Sequence, residues 1–294
     1  MRRSFLLCLS LSLVLGPALV GCDVKVSDKG GMEFDITQGR AEDEWKRTYT
    51  LAEGSRLEIV SGGGPVNVAS STGSMVEIQI TREARAANDE AAKQALKEET
   101  ITEEVTPERV KVETRRTRRD NSGPLGSRRI STTFQVLIPA GLKVSITGEN
   151  ADVSLVNVQG DFTLQNTNGG FRGRGVSGSL SATTVNGVIE LDIERVMGDV
   201  RATTVNGPVR LGLPRDVNAT LEARTVNGVV TVDEDLPFTA GERERLRLTG
   251  RFGKGGPTIA LNTTNGPIRV TEAGDRRRGR RDEPVVLERQ LQER

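Results

Sequence analysis

Thr183-Thr184-Val185-Asn186-Gly187, Thr203-Thr204-Val205-Asn206-Gly207 and Arg224-Thr225-Val226-Asn227-Gly228 are three near-identical phrases, and their reading decides the fold. Asn262-Thr263-Thr264-Asn265-Gly266 is a later copy, and Gln165-Asn166-Thr167-Asn168-Gly169 an earlier, degraded one. From asparagine to asparagine the steps are 18, 20, 21 and 38 residues, the last close to two periods. A period near 20 matches one rung of a β-solenoid or one repeated hairpin.

Outward from the phrase, apolar residues alternate on both sides. Six residues before the asparagine stand Phe162, Leu180, Val200, Leu221 and Ile259; four before, Leu164, Ala182, Ala202, Ala223 and Leu261. Three after it stand Phe171, Ile189, Val209, Val230 and Ile268. Alternation of this kind marks half-buried strands on either side of a turn. Gly160, Gly178 and Gly198, eight before, mark a second turn.

Two all-β architectures fit. Asn-Gly between alternating strands is a strong hairpin signal, which gives an antiparallel meander. Repetition of residue type at fixed positions favours stacked rungs instead, because like turns then superpose at about 4.8 Å. The expectation is a β-solenoid (β-helix or β-roll) of about 20-residue rungs, each phrase stacked on the one before it in sequence. Its turn ladder comprises Asn168, Asn186, Gly187, Asn206, Gly207, Asn227, Gly228, Asn265 and Gly266, with the amides of successive asparagines bonded to one another. Thr184, Thr204, Thr225 and Thr263 point inward at the corner, where a hydroxyl reaches backbone groups. Arg172, Glu190 and Arg210 fall on one outward row and predict an alternating charge ladder.

Upstream, strand-like segments at 45–51, 56–60, 65–69 and 75–81 precede an alanine-rich stretch, Asn88 to Glu99. With Asn88 as N-cap and Asp89 and Glu90 in its first turn, this stretch reads as a short helix that caps the open end of the solenoid. Strands resume at 108–114 and 131–138. Between them Arg115, Arg116, Arg118, Arg119, Arg128 and Arg129 make a basic loop, and Arg276, Arg277, Arg278, Arg280 and Arg281 repeat the theme in the tail. Such clusters are candidate sites for an acidic polymer, since arginine forms bidentate pairs with phosphates and carboxylates; a solvated loop and tail is the plainer account. The expected organisation is a leader over 1–21, a tether over 22–43, the repeat domain over 44–273 with an insertion at 84–130, and a basic disordered tail over 274–294.

Composition narrows function. The chain has no histidine, which excludes Ser-His-Asp and Cys-His catalysis and histidine-ligated metals. One tryptophan, one tyrosine and seven phenylalanines leave little for stacking bases or sugars. The formal charge of +1 falls to −1 once Arg2 and Arg3 leave with the leader, so no nucleic-acid partner is expected. The carboxylates Asp161, Glu190, Asp192, Asp199, Asp233, Glu234 and Asp235 scatter over turns and different rungs, and Asp161 and Asp199 read as turn residues. No cofactor or metal is called for, and no catalytic constellation stands out.

At the start, Arg2-Arg3 and the apolar run from Phe5 to Val14 read as an export signal too short to span a membrane. Leu19-Val20-Gly21-Cys22 resembles the lipobox of bacterial lipoproteins. That resemblance implies cleavage before Cys22, acylation of its thiol, and a membrane partner engaged through the acyl chains on the extracytoplasmic side of the envelope. Arg2-Arg3-Ser4-Phe5-Leu6 also matches the core of a twin-arginine export motif. The only other cysteine, Cys8, lies in the leader.

The T-x-N-G-x-I/V-x-L phrases, the block from Gly253 to Val270 and the leading segment from Arg56 to Val68 resemble the bacterial β-strand-repeat family labelled "putative adhesin". The resemblance runs from about residue 45 to 272 and implies a β-helical envelope domain with no implied reaction. The function expected is thus a non-catalytic lipoprotein presenting a rigid β-surface to an envelope polymer or protein. The alternatives are an accessory or sensory part of an envelope-stress system, or a β-helix enzyme on acidic polysaccharide.

Overall fold

The computed structural model describes residues 23–26, 32–35, 39–116, 129–244 and 246–274. The leader, Cys22, Arg118, Arg119, Arg128 and the tail arginines from Arg276 to Arg281 lie outside them. In chain order the elements begin with β1 (Asp23–Val26), β2 (Met32–Asp35), β3 (Gly39–Thr50), β4 (Arg56–Ser61), β5 (Val66–Ser70) and β6 (Met75–Ala86). The helix α1 (Asp89–Lys97) follows, then β7 (Glu99–Thr106), β8 (Arg109–Arg116), β9 (Arg129–Ile138), β10 (Leu142–Asn150) and β11 (Val153–Val156). The repeats supply β12 (Gln159–Asn168), β13 (Phe171–Asn186), β14 (Ile189–Asn206), β15 (Val209–Leu213), β16 (Ala219–Asn227) and β17 (Val230–Val232). The chain ends with β18 (Phe238–Arg243), β19 (Arg247–Phe252), β20 (Thr258–Asn265) and β21 (Ile268–Glu272).

The protein is all-β and solenoid-like, and its repeats pair in parallel, not as hairpins. One column of strands runs β8, β4, β10, β12, the second half of β13, the second half of β14, β20, β16. A second column runs β9, β5, β11, the first halves of β13 and β14, β15, β21, β17. Each Asn-Gly corner carries the chain from the first column into the second. The alternating apolar positions meet between the columns in one core, where Phe162, Leu180, Val200, Leu221, Ile259, Phe171, Ile189, Val209 and Ile268 are all buried.

The rungs do not stack in sequence order. Asn206 is in register with Asn265, and Asn265 with Asn227, so the last phrase is inserted between the third and fourth. The cause lies in the 38-residue step. After β17 the chain makes the hairpin β18–β19, which pairs antiparallel with the exposed edge of β16, and only then returns to fill the open slot beside β14. Burying that outer edge removes a row of unpaired backbone groups at the end of the stack. The same manoeuvre occurs at the other end, where the early rung β4–β5 lies between the later rungs β8–β9 and β10–β11. The expected row of alternating charge is in register, Arg172 beside Glu190 and Glu190 beside Arg210, and the inserted rung ends the alternation there by placing Arg269 next to Arg210.

The segment expected as an insertion supplies β7, β8 and α1 to this framework. The helix is capped as read: the Asn88 side chain accepts from Ala91 N at 2.8 Å. Its Ala92, Ala95 and Leu96 pack on Ala84 and Ala86 in a small core of their own, against β3 and β6, which extend the second column with β6 antiparallel to β9 and β3 antiparallel to β6. Strand β3 begins at Gly39, inside the stretch expected as tether, and β1 pairs with β2 just upstream.

Candidate binding surface

The corner is built from the repeated phrase. Asn168 Nδ2 donates to Asn150 Oδ1 (2.9 Å), Asn186 to Asn168 (2.9 Å), Asn206 to Asn186 (2.8 Å), Asn265 to Asn206 (2.8 Å) and Asn227 to Asn265 (2.8 Å). A primary amide suits this role because it carries both a donor and an acceptor and so can bond rungs on both sides. Beneath it, the buried hydroxyls of Thr184, Thr204, Thr263 and Thr225 donate to the carbonyls of Gly169, Gly187, Gly207 and Gly266, each at 2.9 to 3.0 Å. In the degraded copy Asn166 takes the threonine's place and donates to Ala151 O and Asn168 O.

The corner glycines are not there for a left-handed turn: among Gly169, Gly187, Gly207, Gly228 and Gly266, only Gly169 has positive φ. They are needed because rungs approach closely. A Cβ on Gly187 would lie 2.0 Å from Gly169 O, and one on Gly207 the same distance from Gly187 O. Asn150 is a ladder member that the phrase does not reveal, since Ala151 follows it where glycine is expected. Its spacing of 18 residues from Asn168 is the signal that marks it.

The outward side of the second column forms a groove of about 500 Å³ across β3, β6, β9, β5 and β11. Register places Lys46, Gln79, Gln135, Asn67 and Ser154 in one row, strand by strand. Beside it run Glu77, Leu137, Ala69 and Val156. The loop of Ser71, Thr72 and Gly73 forms a rim. All of the row residues from Gln79 to Ser154 are half-buried, sheltered by the groove, while their neighbours Ile78, Ile80, Phe134, Val136, Val66 and Val68 are buried in the core. Three amides and a hydroxyl one strand apart, next to an apolar row, offer paired donors and acceptors along one axis. Nothing in the sequence exposes this row, because β6, β9, β5 and β11 are brought together by pairing between distant segments.

The arginines that the sequence singles out have separate settings. Arg115 forks onto Glu113 Oε1 at 2.7 and 3.1 Å. Arg116 donates to Ile130 O (3.2 Å) and lies 3.9 Å from the buried Glu99, which accepts from Thr132 at 2.7 Å. Arg129 stands opposite Arg85 in the β6–β9 pair. Of the turn acids, Asp161 accepts from Ser179 Oγ (2.6 Å) and Asp199 from Thr258 N (2.9 Å). Burial and the hydrogen bond that Tyr49 donates to Glu103 (2.6 Å) push the Tyr49 hydroxyl well above its ordinary range.

A family model described as Toastrack DUF4097 matches residues 120–271, just over half of the 294-residue chain. No curated protein matches significantly. Among solved structures, one titled a "putative cell adhesion protein" from Clostridium sporogenes is 15% identical, with a TM-score of 0.46, covering 79% of this chain and 99% of that one. A "putative adhesin" from Bacteroides fragilis is 12% identical, with a TM-score of 0.33 and coverage of 78% and 97%. A "putative lipid binding protein" from Parabacteroides distasonis is 8% identical, with a TM-score of 0.25 and coverage of 81% and 98%.

Proposed function

The chain belongs to the Toastrack DUF4097 family, and from that premise we propose that it is a non-catalytic binding module of the cell envelope, anchored by acyl chains on Cys22. The observation that carries the binding role is the groove on the second column, with Gln79, Gln135, Asn67 and Ser154 in register beside Leu137, Ala69 and Val156. A rigid sheet fixes these side chains, so a ligand that matches their spacing costs little ordering of the protein. Amides and a hydroxyl both donate and accept, as sugar hydroxyls do, and the apolar row meets the C–H faces of the same sugars. The ligand class is an extended, hydroxyl-bearing envelope polymer lying along the solenoid axis.

Co-sedimentation of the Cys22→Ala chain with purified peptidoglycan sacculi, from low to high salt, tests this. Retention that is insensitive to salt and lost in Gln79→Ala/Gln135→Ala is the expected result. Retention that falls with salt and vanishes when Arg276, Arg277, Arg278, Arg280 and Arg281 become serine would move the site to the arginines, because charge-mediated binding is screened. No retention at any salt overturns the polymer reading. The anchor is checked separately: Cys22→Ala should move the protein from the membrane to the soluble fraction, since acyl chains contribute about 0.8 kcal/mol per buried methylene.

A further inference from the structure

We propose that Asn227-Gly228 is a site of spontaneous covalent modification, singled out by the fold from five Asn-Gly pairs of nearly the same local sequence. In an Asn-Gly pair the glycine nitrogen can attack the asparagine Cγ. The new N–C bond closes a five-membered succinimide, and the Cγ–Nδ2 bond breaks. The proton lost by the glycine nitrogen is balanced by the one gained by the departing ammonia. Water then opens the ring at either carbonyl, leaving aspartate or isoaspartate. Overall, asparagine and one water give the acid and one ammonia, with no redox partner. Glycine favours the attack because it has no Cβ to obstruct it.

Four of the pairs are blocked at both reacting groups. The attacking N–H is engaged with the next rung: Gly169 N donates to Asn186 O (2.9 Å), Gly187 to Asn206 (3.1 Å), Gly207 to Asn265 (3.0 Å) and Gly266 to Asn227 (3.1 Å). The electrophile is pinned as well, since the side chains of Asn168, Asn186, Asn206 and Asn265 each donate to one neighbour and accept from another. Cyclisation at any of them must break a backbone bond and two ladder bonds in a packed stack.

Asn227 is where both protections end. Its Nδ2 donates to Asn265, but its Oδ1 accepts from no group among the described residues, and Gly228 N has no acceptor among them. The reason is topological. The strand beyond β16 is β19, which runs antiparallel, and its pairing stops at Arg224 opposite Arg247. A last bond from Thr225 N to Leu246 O (2.9 Å) lies two residues short of Asn227. The flanking Val226 and Val229 are 50% and 60% exposed, so water reaches the site.

The test is peptide mapping by mass spectrometry of the full chain, held folded at mildly alkaline pH and sampled over days. The peptide carrying Asn227 should gain the amide-to-acid mass at least about tenfold faster than those carrying Asn168, Asn186, Asn206 or Asn265, whose reaction needs local opening of the stack. In denaturant all five should convert at similar rates, which separates protection by structure from differences in sequence. Far-UV circular dichroism at each time point establishes that the chain stayed folded. Conversion of any inner pair as fast as Asn227 in the folded chain overturns the proposal. So does an Asn227 as inert as the inner pairs while the denatured chain reacts.

Discussion

At the scale of single residues, the corner depends on groups whose neighbours belong to other rungs. Thr204 donates from a buried hydroxyl to Gly187 O, so Thr204→Val keeps the shape and leaves a buried carbonyl without that donor. The expected cost is about 1–3 kcal/mol. A thermal midpoint lowered by roughly 2–4 °C per kcal/mol would register it in a chain of this size. An unchanged midpoint would mean that water replaces the hydroxyl. Gly207→Ala should be worse, because its methyl would lie 2.0 Å from Gly187 O in a corner held on both sides. The sequence shows that threonine, asparagine and glycine matter at these places. It suggests the wrong reason for glycine, since a turn residue is ordinarily read for its φ and here the neighbouring rung's carbonyl sets the requirement.

At the scale of elements, the outer rung β8 is fastened to β4 by charge. Arg109 Nη2 donates to Glu58 Oε2 at 2.7 Å and holds that carboxyl below the usual carboxylate range; Lys111 and Arg115 do the same for Glu113. A carboxyl depressed in the folded state stabilises the fold above its unfolded pKa, and that contribution is lost as pH falls through the lowered folded value. Acidification should therefore loosen the β4–β8 seam. Glu58→Gln should lower the neutral-pH midpoint slightly and flatten its decline towards acid. An unaltered pH profile would show that the pair contributes nothing. The helix is a simpler element. Asn88 caps it in the way its sequence indicates, and Asn88→Ala should cost about 1 kcal/mol, with hydrogen exchange rising in Asp89–Lys97.

For the whole molecule, a rung placed out of sequence order lies just inside the terminal rung at each end of the stack. Removing residues 258–272 would trim a terminal rung if rungs followed the chain. In this fold it empties the slot between β14 and β16 and strips the shared neighbour from each. The expected outcome is loss of cooperative unfolding and rapid proteolytic cleavage throughout 216–257. A truncated chain with an unchanged digestion pattern would contradict the observed order. Asn206 and Asn265 meet across 59 residues, and a contact of such separation carries a loop-closure cost that must be met before pairing rewards it.

The sequence by itself determined the all-β character, the inward and outward alternation, the position of every Asn-Gly corner, the inward threonines and the capped helix. Each of these follows from local chemistry: period-two burial, turn residues, and a side chain that can satisfy a nearby backbone group. Tertiary structure decided which rung neighbours which, and with it the groove, the placing of Arg269 beside Arg210, the sixth ladder asparagine at Asn150 and the exposed end at Asn227. The physical reason lies in the repeat. Phrases that share one register fit equally well against any other copy, so the local pattern carries no information about order. Order is set where the copies differ, in the β18–β19 hairpin that covers β16 and leaves a slot only the last phrase can fill.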